Sequence, residues 1–186
     1  MMGSPDAPHV IVCLLDYTCI HCRALHPILV QMSEQFSNQL AFVSLPMPLS
    51  SRCNPNIHGT SPSALHACEY AHLSLAVWRA KPSVFHQFDE WMFATVNPPP
   101  LEAAEAYAAQ LVGTNELQSA SADPWIEQQI GIDCEIHHAN WLAVDSAALP
   151  QLTIGDAVSS GPINSVQQLE VLINKYLGLN LQLNGF

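Results

Sequence analysis

The stretch from residue 10 to residue 48 confines the fold of this chain more tightly than any other. Val10-Ile11-Val12-Cys13-Leu14-Leu15 is a continuous, partly β-branched apolar run, the pattern of a central strand buried on both faces. From Cys22 to Phe36 the apolar residues Leu25, Ile28, Leu29, Met32 and Phe36 recur at three- and four-residue spacing, which puts them on one helical stripe. Leu40-Ala41-Phe42-Val43-Ser44-Leu45 follows, closed by Pro46 and Pro48, and reads as a second strand ended by a breaker. Two strands joined through a helix pair in parallel with a right-handed crossover. The chain is therefore predicted to open with a β-α-β unit.

The tail returns to strand chemistry. Gln151-Leu152-Thr153-Ile154, the turn pair Gly155-Asp156, and Ala157-Val158-Ser159-Ser160 ended by Gly161-Pro162 give a hairpin signal. Ser165 with Gln168 three residues on is a capping pattern, and Leu169, Leu172, Ile173, Tyr176 and Leu177 carry a helical stripe that stops at Gly178, a residue suited to a helix end. Between the two ends, Ser63 to Ala80, Ser83 to Thr95, Leu101 to Gly113 and Pro124 to Ala143 are rich in Ala, Leu, Gln, Glu and Trp and poor in strand alternation. The breakers Asn97-Pro98-Pro99-Pro100 and Lys81-Pro82 separate them, since proline interrupts a helix or starts one. The expected organisation is one domain over residues 1–186, an α/β fold in the order β-α-β, all-helical insertion (50–146), β-β-α.

Charge narrows the function classes. Five Lys plus Arg against sixteen Asp plus Glu give a formal net charge of −11, so the basic footprint of a nucleic-acid binder is missing. The longest apolar run, Val10 to Leu15, is far shorter than the roughly 20 residues that cross a bilayer, and no transmembrane segment is expected. The first eight residues hold neither a basic region nor a long apolar stretch, so no signal or anchor is visible. Six cysteines, two of them closely paired, suit an oxidising compartment, and the expected location is extracytoplasmic. The abrupt start also leaves open that the chain is one domain of a larger membrane-anchored redox protein.

Cys19-Ile20-His21-Cys22 falls where the first strand ends and the first helix begins. The first sulfur there meets unpaired backbone N–H groups and the positive end of the helix dipole, both of which favour a thiolate. Two cysteines three apart at a helix start can close a disulfide with the first sulfur exposed and the second shielded, which separates attacker from resolver. The bare spacing is weak, since six cysteines at random give it in roughly one chain in six; the position at a strand-to-helix junction gives it weight. His21 between the cysteines stabilises the Cys19 thiolate when it is protonated or donates a hydrogen bond, and so makes the couple more oxidising. The competing reading is a soft metal ion, copper or zinc, held by Cys19, Cys22 and a histidine such as His26.

The segment Asp16-Tyr17-Thr18-Cys19-Ile20-His21-Cys22 between strand and helix resembles the active-site entrance of the thioredoxin-like superfamily, and of its DsbA-like branch in particular. Pro27, five after Cys22, matches a helix-kinking proline of thioredoxins. Leu149-Pro150-Gln151-Leu152-Thr153-Ile154-Gly155 is similar to the cis-proline segment before the final hairpin. The resemblance covers roughly residues 9 to 50 and 147 to 178 and implies a thioredoxin-like fold, with the helical insertion where DsbA-like proteins carry one. It also implies thiol-disulfide exchange without a cofactor, Cys19, Cys22 and His21 as the catalytic set, and Leu149, Pro150 and Tyr17 on the substrate side. Protein or peptide thiols and disulfides are the implied partners, with a membrane redox protein as a further candidate. Two departures stand out. Cys13 occupies the position of a buried acid that serves the second cysteine of thioredoxins, which leaves Asp16 or water to accept its proton, and Leu149 replaces the more usual Thr or Val before the proline.

The sequence thus points to a thiol-disulfide oxidoreductase acting as an oxidant, with a reductase or isomerase for a specific partner, or a copper or zinc carrier, as alternatives. Of the remaining cysteines, Cys13 and Cys68 read as plain core thiols, and Cys53 and Cys134 are the pair open to a second disulfide. Trp78, Trp91, Trp125 and Trp141 with Phe85, Phe88 and Phe93 are expected to form the core of the insertion, with some left to rim an apolar groove beside the cysteines. His66, His72, His137 and His138 read as solvated or core histidines.

Overall fold

The computed structural model describes residues 1–183. The expected β-α-β unit is formed by β2 (His9–Leu15), α1 (Ile20–Gln35) and β3 (Leu40–Pro46), with β2 and β3 parallel and in register from His9 opposite Leu40 to Leu15 opposite Pro46. The final hairpin, β4 (Gln151–Ile154) and β5 (Ala157–Ser160), joins the same sheet through an antiparallel pairing of β4 with β2. Gly155 makes the turn with a positive φ of 58°, a conformation that costs glycine nothing. A two-residue strand, β1 (Met2–Gly3), pairs antiparallel with β3, so the order across the sheet is β1-β3-β2-β4-β5. The helix α7 (Val166–Leu177) is capped at Ser165, whose hydroxyl accepts from Gln168 N–H, and ends at Gly178 in the left-handed region.

The insertion supplies α2 (Ala67–Ala80), α3 (Phe85–Phe93), α4 (Leu101–Val112), α5 (Thr114–Ser121) and α6 (Trp125–Val144). α5 carries no apolar stripe that periodicity could read. The core runs continuously from Ile11, Leu14, Phe42 and Leu152 of the sheet and Leu25, Leu29 and Met32 of α1 into Phe88 and Met92 of α3. Ile11, Phe42, Leu152 and Phe88 are completely buried. Val10 is 49% exposed, so the opening strand is covered on both faces only from Leu14 onward.

Two sequence expectations are corrected. Cys53 is disulfide-bonded to Cys68, with Cα atoms 6.0 Å apart, and Cys134 is a free, buried thiol. The reason is placement: Cys68 sits in the first turn of α2, against the loop that carries Cys53, whereas Cys134 is in the apolar cluster of α2 and α6 with Ile126 and Ile130. The tryptophans also divide. Trp78 stacks on Trp125 and Trp91 on Tyr107 within the insertion, while Trp78 keeps 41% of its surface exposed.

Candidate active site

Cys19 is the N-cap of α1. Its backbone is extended (φ −77°, ψ 118°) and its Sγ accepts from the N–H of Cys22 at 3.4 Å, which satisfies one of the donors a helix start leaves open. The thiol hydrogen bond from Cys22 and the N–H groups of Cys22 and His21 bring the Cys19 thiol down from its ordinary value of 9.0 to about 7, against the opposing effects of burial and of Asp16. Cys22 is completely buried; burial first, then the hydrogen bond and negative charge at Cys19, push its thiol well above the ordinary range. One helical turn therefore sets a readily ionised, half-buried thiol above a fully buried one that holds its proton. Both are free thiols in this structure.

The loop before Cys19 is held by Asp16. This buried carboxylate accepts from the N–H and the hydroxyl of Thr18 and from the N–H of Leu49. Burial raises its pKa and these hydrogen bonds oppose the rise. With both oxygens engaged by three donors, Asp16 gives the thiols charge and a fixed loop. The position below, Cys13, is a completely buried thiol whose pKa burial pushes far up, so no carboxylate stands there.

Tyr17 turns inward. It is 5% exposed, its hydroxyl donates to Asp89 Oδ1 at 2.6 Å, and its ring stacks on Phe93 at 4.7 Å. Asp89 Oδ2 lies 3.1 Å from Nε2 of His26, which stacks on the same Phe93 ring at 4.4 Å. Arg23, also buried, donates to the carbonyls of Tyr17, Thr95 and Asn97 and lies over Phe93. Thus the entrance loop, α1 and α3 are locked together behind the cysteines. No sequence pattern marks this network, because Asp89, Thr95 and Asn97 lie more than 60 residues from the loop and helix they meet.

On the other side of Cys19, the Leu149–Pro150 bond is cis and the Leu149 carbonyl faces the Cys19 Sγ at 3.9 Å. The structure thus brings Leu149 and Pro150 to the sulfur and keeps the Tyr17 side chain away from the surface. His21 is exposed, and its backbone N–H is among the groups that lower the Cys19 thiol. Ile20, Ala24 and Pro27 fall on the outer face of α1 and, with Val96, line a groove of about 270 Å³. Ile20 is 62% and Val96 75% exposed, so the apolar rim beside the cysteines is mainly aliphatic, with Phe93 the one member of the expected aromatic set that lines it. A larger groove of about 830 Å³ lies on the insertion, walled by Arg52, Glu69, His72, Glu105 and Glu127, and holds none of the candidate site residues.

A metal at Cys19 and Cys22 would need further ligands. Among the described residues no group of three or more His, Cys, Asp or Glu is placed to hold one, and His26 is committed to Asp89.

The family model described as Thioredoxin matches residues 1–174. No curated protein sequence matches significantly. Among solved structures, the thiol-disulfide exchange protein alpha-DsbA2 from Wolbachia pipientis superposes with a TM-score of 0.70 at 18% identity, over 93% of this chain and 84% of that one. A periplasmic thioredoxin-like protein from Salmonella enterica serovar Typhimurium gives 0.68 at 19% identity, over 95% and 88%. Oxidised BdbD from Bacillus subtilis gives 0.64 at 18%, over 95% and 91%. These likenesses agree with the thioredoxin-like α/β fold expected from the motifs.

Proposed function

This chain belongs to the thioredoxin family, and from that premise we propose that it exchanges disulfides with protein thiols through Cys19 and Cys22, acting as an oxidant. The observation that carries the reading is the opposed tuning of the two thiols: Cys19 lowered to about 7, Cys22 raised by burial. In the oxidised protein a substrate thiolate attacks Cys19 Sγ, the only one of the two sulfurs with an open face. The Cys19–Cys22 bond breaks, and Cys22 departs and takes up a proton. A second substrate thiolate then attacks the substrate sulfur of the mixed disulfide and releases Cys19 as a thiolate. The substrate loses two electrons and gains a disulfide; the protein disulfide is reduced to a thiolate and a thiol.

The Leu149 carbonyl and cis Pro150 form the substrate side, offering backbone polar groups to an extended segment next to the reacting sulfur. Ile20, Ala24, Pro27 and Val96 give apolar flanking residues a surface. His21 serves Cys19 as its neighbour in the first turn, its N–H favouring the released thiolate, and Tyr17 serves by fixing the loop through Asp89. An extracytoplasmic location fits the neighbour described as periplasmic, and no described helix is long and apolar enough to cross a membrane. Reoxidation then falls to a membrane redox partner.

The test is the Cys19–Cys22 reduction potential, by equilibration with glutathione buffers and with Cys19→Ser as the control. A value near −120 to −180 mV supports disulfide donation, whereas one near −270 mV or below makes the protein a reductase.

A further inference from the structure

The segment between α6 and β4 has its carbonyls held one by one. The carbonyl of Ser146 accepts from Gln151 Nε2 at 3.2 Å and lies 3.3 Å from the Ser160 hydroxyl. That of Ala148 accepts from Ser160 Oγ at 2.8 Å, and that of Pro150 from the N–H of Gly161 at 2.9 Å. The carbonyl of Ala147 is met by Nε2 of His137 at 3.1 Å. Leu149 is the exception: its carbonyl accepts only from the Cys19 thiol, with Sγ 3.9 Å away, a donor that is lost when Cys19 is in a disulfide. A loop pinned on both sides of that carbonyl holds the acceptor ready for an incoming donor in the oxidised protein.

His137 is the pin that comes from outside the hairpin. It projects from α6, is completely buried, and its Nδ1 has no partner among the described residues. A carbonyl can only accept, so Nε2 carries a proton. Burial also lowers the pKa of this ring. Through this hydrogen bond α6 reaches the segment before the cis-proline.

We propose that His137 is a positioning residue for substrate. By holding the Ala147 carbonyl it fixes the Leu149 carbonyl beside Cys19, where a backbone N–H of the bound segment takes it. The inference rests on the exchange reading above and adds to it a role for the helical insertion.

The test compares wild type, His137→Leu and His137→Gln, with His137→Met as a second donor-free variant should the leucine protein fail to fold. Glutamine places its amide nitrogen at the same bond count from Cα as Nε2 of histidine, and so restores the donor. The oxidised proteins are mixed with a reduced dithiol peptide and, separately, with dithiothreitol, which has no backbone N–H to offer. His137→Leu is expected to raise the saturation constant for the peptide roughly fivefold, the equivalent of about 1 kcal/mol, with the dithiothreitol rate unchanged. His137→Gln is expected to fall within about twofold of wild type. Equal slowing with both reductants, an unchanged saturation constant in the leucine protein, or failure of glutamine to rescue would each overturn the inference. Amide hydrogen exchange across residues 146–149 separates it from the exchange reading. A wild type that ignores the peptide refutes the functional reading and the substrate role; faster loop exchange in the leucine protein alone would then uphold only the pin.

Discussion

The most direct consequence of the site geometry is the pH at which Cys19 becomes reactive. With its thiol lowered to about 7, about half of Cys19 is thiolate at pH 7, against about one per cent for a thiol at the ordinary value. Because the thiolate is the nucleophile, the alkylation rate with iodoacetamide should rise with pH to a midpoint near 7. Cys13, Cys22 and Cys134 are buried and their thiols raised, which leaves the signal to Cys19. The foremost cause of the lowering is the thiol hydrogen bond from Cys22. Cys22→Ala removes that donor and should move the midpoint up by about one unit, cutting the rate at pH 7 about fivefold. Cys22→Ser keeps a donor and should lie between. A wild-type midpoint at 9 or above would refute the account of the helix start, and an unmoved midpoint in Cys22→Ala would refute the part given to the second thiol.

Three further outcomes follow from buried groups. Tyr17→Phe strips Asp89 of one donor and should cost about 1–3 kcal/mol in urea unfolding; a change below about 0.5 kcal/mol would show that the Tyr17 hydroxyl bond adds little stability. Removing the Cys53–Cys68 bridge, whose partners are 15 residues apart, by serine at both positions should cost roughly 3 kcal/mol, with the Cys19 alkylation midpoint unchanged. Asp133 is raised to about 7 by burial, so the folded state keeps a proton that the unfolded chain loses near pH 4. Stability should therefore fall as pH rises from about 4 to 7, by at most on the order of 4 kcal/mol, and Asp133→Asn should flatten that slope in urea titrations.

What could be read from the sequence was local. Val10 to Leu15, the stripe from Leu25 to Phe36, and the hairpin about Gly155 announce themselves by period and turn chemistry, and Cys19 and Cys22 by standing at a strand-to-helix junction. Met2–Gly3 has too few residues for a period, and Thr114–Ser121 is helical through its neighbours rather than an apolar face. The hidden parts of the site are tertiary. Asp89 meets Tyr17 from 72 residues away, Arg23 reaches carbonyls 72 and 74 residues on, and Cys53 finds Cys68 because of where α2 starts. Apart from the cysteines, whose pairing the residue type leaves open, no residue type in those segments marks the contact, which exists only after the insertion has folded back on the sheet.

The pairing of the two thiols also implies an order of events that neither has alone. While Cys19 is anionic, its charge and the hydrogen bond it accepts add to burial in holding the Cys22 proton in place. Capping Cys19 in a mixed disulfide abolishes the charge and weakens the hydrogen bond, leaving burial as the main cause. Cys22 thus becomes easier to ionise when there is a bond for it to resolve, with no carboxylate at position 13 to assist. Cys19→Ser mimics the uncharged state at similar volume, and Cys22 followed by its 13Cβ chemical shift should titrate lower in that variant than in the reduced wild type. An equal or higher midpoint would mean that burial alone sets the Cys22 thiol, and that the shielded cysteine is equally inert before and after the first attack.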